Sequence, residues 1–418
     1  MIREIKPASE QQFTEIEEYL YASKQLFWNG IREMMDYRPK ISGYTTTFNC
    51  VQQKYPFIQC IKSMLEFCDE VCVVDGGSKD GTLEELVKLA WEYSDSPQML
   101  SEAHPDHAKL MIENGTDYLR DPSIATNVTG SFGPFCDHKC PGRGCHSRVR
   151  INVVKRDWKH PRFAVFDGMQ KAEARKMCVG DYCWQMDSDE IVHEEDAPKI
   201  VDLCRLLPKD IDILSLPVTE YWGSSDKVRC DVQPWKWRLS RNKPNITHGI
   251  PVHLRKQDDQ GNLCAAEGTD GCDMIDANTG LPIPHVGFYT QEAENARRAA
   301  LQGNPQALQE YERWFNEVVN NLPGVFHYSW YDLPRKISLY RDYWQSHWRS
   351  LYNMKIEDTP ENNMMFDTAW KDVTDEMLVE RANLMKEKLG GWIWHRKWDG
   401  KTTTPHINVT RSQPKVMK

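Results

Sequence analysis

The sequence predicts an α/β protein in which a mostly parallel sheet is flanked by helices. From residue 41, apolar strand-like runs alternate with amphipathic helix-like runs. Two of the strand-like runs, CVVD and DYCWQMD, lead directly into acidic turns. No internal repeat or low-complexity segment interrupts this alternation. A succession of β and α elements wound into one sheet accounts for the pattern.

The individual elements follow from the periodicity of the apolar residues. ISGYTTTFN, DEVCVVD, DYCWQMD and IDILSLPV predict strands, because they are short, apolar and rich in β-formers. YPFIQCIKSMLEFC, TLEELVKLAWEY and FDGMQKAEARKMC predict helices, because their apolar residues recur at helical spacing. Residues 231–290 are predicted to be rich in β-structure.

We expect three regions along the chain. Residues 1–40 form an N-terminal helical segment, and residues 41–295 form the α/β domain. Residues 296–418 form a helical C-terminal region that is rich in aromatic residues. Within the α/β domain, residues 96–160 carry Pro, Gly, His and Cys without a clear period, which predicts a Cys-rich insertion.

The composition is that of a soluble globular chain. Its 418 residues are 40% hydrophobic, enough for one large domain or two ordinary ones. The formal net charge of −9 argues against a broad nucleic-acid-binding surface. No run of 18 apolar residues occurs, so no transmembrane helix is expected. The start of the chain lacks the apolar core of a signal peptide, so we expect a cytoplasmic location and reduced cysteines.

The turn after CVVD is the first candidate site. Asp75 ends a buried strand, Gly77 and Ser78 form a tight turn, and a helix starts at Thr82. Ligands of open α/β sheets bind at the carboxyl ends of strands, and glycine lets a ligand approach the backbone. An aspartate at this place can accept hydrogen bonds from a base or a ribose. The alternative is an ordinary strand–turn–helix with Asp-Gly turn chemistry.

The segment GDYCWQMDSDE has the same form with more acidic groups. Asp187 and Asp189 lie two residues apart and follow buried-looking residues. Two such carboxylates can share Mg²⁺ or Mn²⁺ together with phosphate oxygens. The alternative is a solvated acidic loop before a helix, which accounts well for Glu194, Glu195 and Asp196.

Taken together, these motifs resemble those of the inverting glycosyltransferases of family 2, which have the GT-A fold. YTTTFN is similar to the first strand of that family, VVDGGSKDGT to its nucleotide-binding turn, and GDYCWQMDSDE to its metal-binding strand. WKWRLSRNKPNITHGIPVHLR and IPHVGFYT are similar to later segments of some bacterial members. The resemblance covers about residues 40–295. It implies metal-assisted transfer of a sugar from a nucleoside-diphosphate donor, a UDP-sugar, to a hydroxyl acceptor.

The resemblance also implies a donor site and a metal site. Asp75 would contact the base of the donor, and Asp187 with Asp189 would hold Mn²⁺ or Mg²⁺ on the diphosphate. The other predicted donor contacts are Thr47, Asn49, Gly77, Ser78, Lys171, Ser188 and His327, and His285 is a predicted third metal contact. For His285 the alternative is a strand histidine that is satisfied by the backbone.

The general base is not identified by the resemblance. An inverting enzyme needs a group that takes the proton of the acceptor hydroxyl. The His-Glu pair of the family's later segment is His253-Leu254 here, so the usual carboxylate is missing. Glu220, Glu267 and Asp270 are candidate bases by position.

The predicted insertion contains four residues of the types that bind structural zinc. These are Cys136, Cys140, Cys145 and His146. Their spacing is not that of a standard zinc finger. A Gly/Pro loop with free thiols and a basic loop that contacts the acceptor are the alternatives.

Two other functions are open at this point. A sugar-nucleotide pyrophosphorylase also has a parallel sheet with carboxylates on a metal, although TTTFNCVQQKYP lacks its Gly-rich, Arg-containing loop. A non-catalytic carbohydrate- or partner-binding protein derived from a transferase fits the missing base. For a transferase, the acceptor is a glycan, a lipid-linked glycan or a protein. Peripheral contact with the inner face of a membrane is compatible with the sequence.

Overall fold

The computed structural model describes residues 38–93, 150–157, 163–248, 256–257, 263–264, 274–281, 283–344, 357–363, 365–388 and 405–417. The chain divides into two compact units. The N-terminal unit comprises the described residues of 38–188 and 238–284, and the C-terminal unit comprises those of 189–237 and 285–417. The predicted helical segment at the N-terminus and most of the predicted insertion lie outside the described residues.

Fifteen strands are described, and their bounds follow in chain order. They are β1 (Ile41–Thr47), β2 (Glu70–Asp75), β3 (Ile151–Lys155), β4 (Tyr182–Gln185), β5 (Glu190–Val192), β6 (Ile213–Trp222), β7 (Lys227–Arg229), β8 (Trp235–Arg241), β9 (Ile246–His248), β10 (Lys256–Gln257), β11 (Leu263–Cys264), β12 (Met274–Asp276), β13 (Val286–Gly287), β14 (Val325–Trp330) and β15 (His406–Asn408).

The described α-helices are eight in number. They are α1 (Phe57–Leu65), α2 (Thr82–Glu92), α3 (Phe163–Lys176), α4 (Ala197–Leu206), α5 (Gln291–Leu301), α6 (Pro305–Asn321), α7 (Leu333–Leu339) and α8 (Asp375–Lys388). In the part of the chain that is described, no helix has both the length and the apolar character needed to cross a membrane.

The N-terminal unit is built on the parallel strands β3, β2, β1 and β4, in that order across the sheet. The last residues of β8 add an antiparallel strand beside β4. Helices α1 and α3 pack against β1 and β2. Strand β2 is buried along its whole length, as expected of a parallel strand that is covered on both faces. The predicted α/β fold class, a mostly parallel sheet flanked by helices, is confirmed.

One strand of this sheet was not predicted. Ile151–Lys155 falls within the predicted insertion, yet it forms β3 and pairs with β2 from Val71↔Ile151 to Asp75↔Lys155. Its five residues follow a long stretch without a clear period. A run this short is ambiguous by pattern alone, and only its pairing with β2 makes it a strand.

The C-terminal unit is organised around the long strand β6. Strands β13 and β14 pair with β6 in parallel, and β14 also pairs with β5 in the antiparallel sense. Strand β7 pairs with β6, and β15 pairs with β7. The aromatic residues Tyr221, Tyr311, Phe315 and Phe326 form the core between these strands and α6.

Three helices of the C-terminal unit start at capping side chains. Thr290 accepts a hydrogen bond from the backbone of Ala293 before α5, and Asp332 accepts one from Arg335 before α7. Asn304 caps α6 in the same way and is followed by a proline in the first turn. These residues satisfy backbone N–H groups that a helix leaves without internal partners, which fixes where each helix begins.

A buried ion pair ties the end of the chain into the C-terminal unit. The guanidinium of Arg411 donates to both carboxylate oxygens of Asp196, at 2.9 and 2.6 Å. It also donates to the carbonyl oxygen of Val319 at 2.6 Å. Asp196 is fully buried and Arg411 is 8% exposed. Lys199 also lies 3.2 Å from Asp196, but Arg411 makes the shortest contacts with this buried carboxylate and is its main partner.

We predict that Arg411→Ala destabilises the fold strongly, because it leaves the carboxylate of Asp196 buried without its main partner. The expected loss in the free energy of unfolding, measured with urea, is about 3–5 kcal/mol. Arg205→Ala is the matched control, because Arg205 forms a half-exposed pair with Asp202. This control should lose at most about 1 kcal/mol. A loss in Arg411→Ala no larger than that of the control would contradict the prediction.

Candidate functional site

The carboxyl ends of three neighbouring strands meet at one edge of the N-terminal unit. Strand β1 ends at Thr47, β2 ends at Asp75, and Asp187 follows shortly after β4. Strand β1 lies between the other two, so the chain continues to β2 on one side and reaches β4 on the other. The strand order therefore reverses at β1. Open α/β sheets bind their ligands at such a point.

The carboxylate of Asp75 organises the turn that follows β2. Its Oδ1 accepts hydrogen bonds from the backbone N–H groups of Gly77 (3.0 Å) and Ser78 (2.8 Å). Its Oδ2 accepts from the hydroxyls of Ser78 (2.6 Å) and Thr47 (2.9 Å). Burial raises the pKa of Asp75, and these four hydrogen bonds oppose that shift. Asp75 is fully buried. Because its carboxylate accepts all four of these hydrogen bonds, it fixes the shape of the turn.

Gly77 is required by the path of the backbone at this turn. Its φ of +84° lies in the left-handed region that disfavours side chains. A Cβ at this position would lie 2.6 Å from Oδ1 and 3.2 Å from Cα of Asp157. The turn can therefore pass close to its neighbours only because this residue has no side chain.

The loop after β1 is fastened to the same turn. The backbone N–H of Asn49 donates to the hydroxyl of Ser78 at 2.8 Å, and the backbone N–H of Lys79 donates to the side chain of Asn49 at 3.0 Å. The backbone N–H of Gln52 donates to the carboxylate of Asp80 at 2.6 Å. These hydrogen bonds join the loop after β1 to the turn after β2, and together the two segments form one wall of the candidate site at the edge of the sheet.

Two cationic side chains contact the carboxylate of Asp187. The amine of Lys171 is 2.8 Å from Asp187 and 2.8 Å from Asp167. The guanidinium of Arg238 is 3.4 Å from Asp187 and also donates to Gln185. The side chain of Asp187 is 29% exposed, whereas that of Lys171 is 8% exposed. The charges of Lys171 and Arg238 are therefore balanced by the carboxylates of Asp167 and Asp187, of which Asp187 is the more accessible.

Ser188, the next residue, is contacted by a buried thiol. The Sγ of Cys50 lies 3.7 Å from the hydroxyl of Ser188. Burial raises the pKa of Cys50 to about 12, so this thiol stays protonated and can donate. The Sγ of Cys60 lies 3.4 Å from the carbonyl oxygen of Asp187. Cys60 therefore contacts the backbone after β4, whereas Cys50 contacts a side chain there.

A separate cluster of charged groups lies in the C-terminal unit, around His327 on β14. Its Nδ1 is 2.5 Å from Oε2 of Glu220, and its Nε2 is 3.2 Å from Oδ1 of Asp189. Burial lowers the pKa of His327, but the charges of Glu220 and Asp189 outweigh burial and raise the pKa to about 10. At neutral pH the ring is therefore a cation between two carboxylates.

The ion pair also changes the chemistry of Glu220. Burial raises the pKa of this carboxyl group, but the charge and hydrogen bond of His327 outweigh burial and lower the pKa to about 2. A carboxylate with such a low pKa is a weak base. This finding weighs against Glu220 as the general base that the sequence offered.

A lysine from α7 approaches the same cluster. The amine of Lys336 donates to the hydroxyl of Ser329 at 2.8 Å and lies 5.4 Å from the ring centre of Trp330. Burial lowers the pKa of Lys336 to about 8, while the charges of Asp189 and Glu220 act in the opposite direction. The amine therefore stays mostly charged near neutral pH.

His285 is packed between aromatic rings in the C-terminal unit. Its ring centre lies 4.9 Å from that of Trp235 and 5.6 Å from that of Trp237. Burial lowers the pKa of His285 to about 4, so the ring is neutral. Among the described residues, no group of three or more His, Cys, Asp or Glu side chains is arranged to hold a metal ion. The predicted metal role of His285 stays a prediction.

Several predicted residues lie outside the described part of the chain. They are the candidate bases Glu267 and Asp270 and the candidate zinc ligands Cys136, Cys140, Cys145 and His146. Conversely, sequence reasoning missed Arg238, although WKWRLS alternates apolar and basic residues as a strand with one charged face does. It also missed the contact between Glu220 and His327, for which the sequence carries no local signal.

Comparison with known proteins found similarity among solved structures. No protein-family model matches the chain, and no curated protein matches it. The chain is similar to TarS 1-349 of S. aureus, with 12% identity over 75% of this chain and 69% of that chain and a TM-score of 0.27. The same protein in complex with UDP-GlcNAc matches with 12% identity, coverage of 75% and 83%, and a TM-score of 0.26.

A second similar protein is the mannosyltransferase PcManGT from Pyrobaculum calidifontis, in complex with GDP-Man and Mn²⁺. Its identity to this chain is 13%, over 72% of this chain and 75% of that chain, and the TM-score is 0.28. At such identities and TM-scores, these similarities do not indicate an activity for this chain.

We predict that His285 makes stability depend on pH. The pKa of the ring is 6.5 in the unfolded chain and about 4 in the fold. Between these values the unfolded chain binds a proton that the fold does not, so stability is full above 6.5 and falls as the pH drops towards 4. The expected loss is on the order of 1–3 kcal/mol.

Urea unfolding at several pH values in this window measures the effect. His285→Phe keeps an aromatic ring between the two tryptophans and removes the titrating group. Its stability should fall less than that of the wild type over the same window. Identical pH dependence in the two proteins would show that His285 is not buried in the neutral form.

Proposed function

We propose that the chain is a glycosyltransferase that moves a sugar from a nucleoside-diphosphate donor, a UDP-sugar, to a hydroxyl group of a glycan, a lipid-linked glycan or a protein, with inversion. The observation that carries the proposal is the meeting of Thr47, Asp75 and Asp187 at the ends of three adjacent parallel strands. This edge is where an open α/β sheet binds a nucleotide.

The turn after β2 and the loop after β1 would form the wall for the base and ribose. Their hydrogen bonds through Asp75, Asn49 and Asp80 hold both segments before any ligand binds. A rigid wall lowers the entropy that ligand binding would otherwise cost. Gly77 lets this turn pass close to Asp157, which sets the path of the turn beside the proposed donor site.

The fixed cations at Asp187 would receive the diphosphate. Lys171 offers a point charge, and Arg238 offers a planar guanidinium that suits phosphate oxygens. As the bond to the sugar breaks, negative charge grows on the leaving nucleoside diphosphate. Lys171 and Arg238 would stabilise that charge by exchanging a contact with Asp187 for one with a phosphate oxygen.

A divalent cation is also part of the proposal. Asp187 and Asp189 are the predicted ligands, because Mn²⁺ and Mg²⁺ prefer carboxylate oxygens. The described residues provide no group of three protein ligands, so phosphate oxygens of the donor would have to complete the coordination. When bound, the metal would supply a Lewis acid for the leaving group.

The environment of Glu220 favours one second candidate, a non-catalytic protein that binds nucleotide sugars. Of the three predicted bases, Glu220 alone is described, and its carboxylate is held by His327. Slow release of UDP from a UDP-sugar in the absence of acceptor separates the two functions. A transferase should release UDP slowly with Mn²⁺, whereas a binding protein should release none.

We predict that UDP with Mn²⁺ raises the melting temperature of the chain, because a ligand of the native state stabilises it by mass action. Lys171→Met and Asp187→Ala should each weaken UDP binding at least about tenfold, or about 1.4 kcal/mol. Lys176→Met is the matched control on the same helix, because Lys176 is exposed and pairs with Glu173. The control should bind UDP as the wild type does.

The same experiment with GDP in place of UDP tests the donor class. A response to GDP alone would keep the nucleotide site and change the donor. If no nucleoside diphosphate shifts the melting temperature with or without Mn²⁺, the proposed donor site is wrong.

A further inference from the structure

His327 lies on a strand that fixes its ring from both sides. In the pairing of β14, His327 is opposite Glu190 on β5 and opposite Glu220 on β6. Residues directly opposite each other on neighbouring strands have side chains that can meet. The 2.5 Å contact between Nδ1 and Glu220 is therefore set by the strand register.

Asp189, the other partner of His327, is held by the backbone. Its carbonyl oxygen accepts a hydrogen bond from the N–H of Tyr328 at 2.9 Å, and it directly precedes β5. The side chains of Asp189, Glu220 and His327 are only 10–13% exposed. The three groups therefore form one buried row, with the imidazole ring in the middle.

A carboxylate on one ring nitrogen determines where the other nitrogen points. A hydrogen bond to Nδ1 fixes the protonation and the direction of Nε2. In this chain Glu220 holds Nδ1, so Nε2 is directed at Asp189. Since the side chains of Asp189, Glu220 and His327 are all nearly buried, the imidazole ring has little freedom to turn while Glu220 holds it.

We infer that Glu220 is a positioning residue, which holds the ring of His327 towards Asp189, and that it is not the general base. The inference rests on the proposed function, because His327 is a predicted donor contact and Asp189 a predicted cation ligand. A general base must reach the acceptor hydroxyl. The Oε2 oxygen of Glu220 instead contacts Nδ1 of His327.

The two roles differ in what Glu220→Gln does. The carboxamide oxygen of glutamine can still accept a hydrogen bond from the ring, but it cannot take up a proton from an acceptor. The readout is the rate at which UDP is released from a UDP-sugar with Mn²⁺. For a positioning residue, this rate in Glu220→Gln should stay within about threefold to tenfold of the wild type, and Glu220→Ala should lose more. For a general base, both variants should lose about 100-fold or more in kcat.

Binding without acceptor gives a second, independent readout. UDP with Mn²⁺ is titrated by calorimetry into the wild type, Glu220→Ala, His327→Ala and the double variant. Glu220→Ala should weaken UDP binding about tenfold and should add little in the His327→Ala background, because it acts through that ring. Glu310→Gln, an exposed glutamate on α6, is the control. Unchanged binding in Glu220→Ala, or fully additive effects, would overturn the inference.

Nuclear magnetic resonance of the histidine rings tests the inference without any nucleotide. His327→Gln assigns the ring N–H signals by their loss. The Nδ1–H signal of His327 should be protected from exchange in the wild type and in Glu220→Gln, and lost in Glu220→Ala. A signal unaffected by Glu220→Ala would show that Glu220 does not hold the ring.

These readouts separate the inference from the proposed function. If the wild type binds no nucleotide but Glu220→Ala frees the ring, the proposed function fails and the positioning role stands. If Glu220→Ala does not fold, Glu220→Gln decides alone. A protected ring signal together with a loss of about 100-fold in kcat would then make Glu220 the base.

Discussion

Parallel pairing on both sides of β1 is the constraint on which the candidate donor site depends. Because β2 and β4 run in the same direction as β1, Thr47, Asp75 and Asp187 all come to one edge of the sheet. An antiparallel neighbour would carry its end to the opposite edge. The turn after β2 and the loop after β1 then lie close enough to be joined by hydrogen bonds, such as the one from the backbone N–H of Asn49 to the hydroxyl of Ser78. The chemistry at this edge therefore follows from strand direction before any particular side chain is considered.

Acidic side chains at the candidate sites of both units are stabilised by a cationic side chain that lies close to each of them. In the N-terminal unit, Asp187 is compensated by Lys171 and Arg238. In the C-terminal unit, Asp189 and Glu220 are compensated by His327. An isolated buried carboxylate would be costly, whereas a paired one is tolerated, and removing one partner exposes that cost.

The strands and turns around Asp75 and Asp187 could be predicted from the sequence, because buried parallel strands appear as short apolar runs with acidic or Gly-rich ends. Strand β3 could not, because its five residues follow a long stretch of sequence without a clear period, and only pairing with β2 makes them a strand. The partners of the acidic groups could not be predicted either. Glu220 and His327 are 107 positions apart, and their contact depends on the register of β6 and β14. For the same reason, position along the chain suggested Glu220 as a base, and only its surroundings suggest a positioning role.

The most direct measurement is backbone hydrogen exchange of the chain with and without UDP and Mn²⁺, read at residues 49–52 and 76–82. If the ends of β1 and β2 hold the nucleotide, the amides of these two segments should exchange more slowly in its presence, because the bound ligand opposes local opening. Helix α6, which lies in the C-terminal unit and carries no predicted donor contact, should be unchanged. Binding of UDP that leaves both segments unaffected and protects another part of the chain would contradict the account.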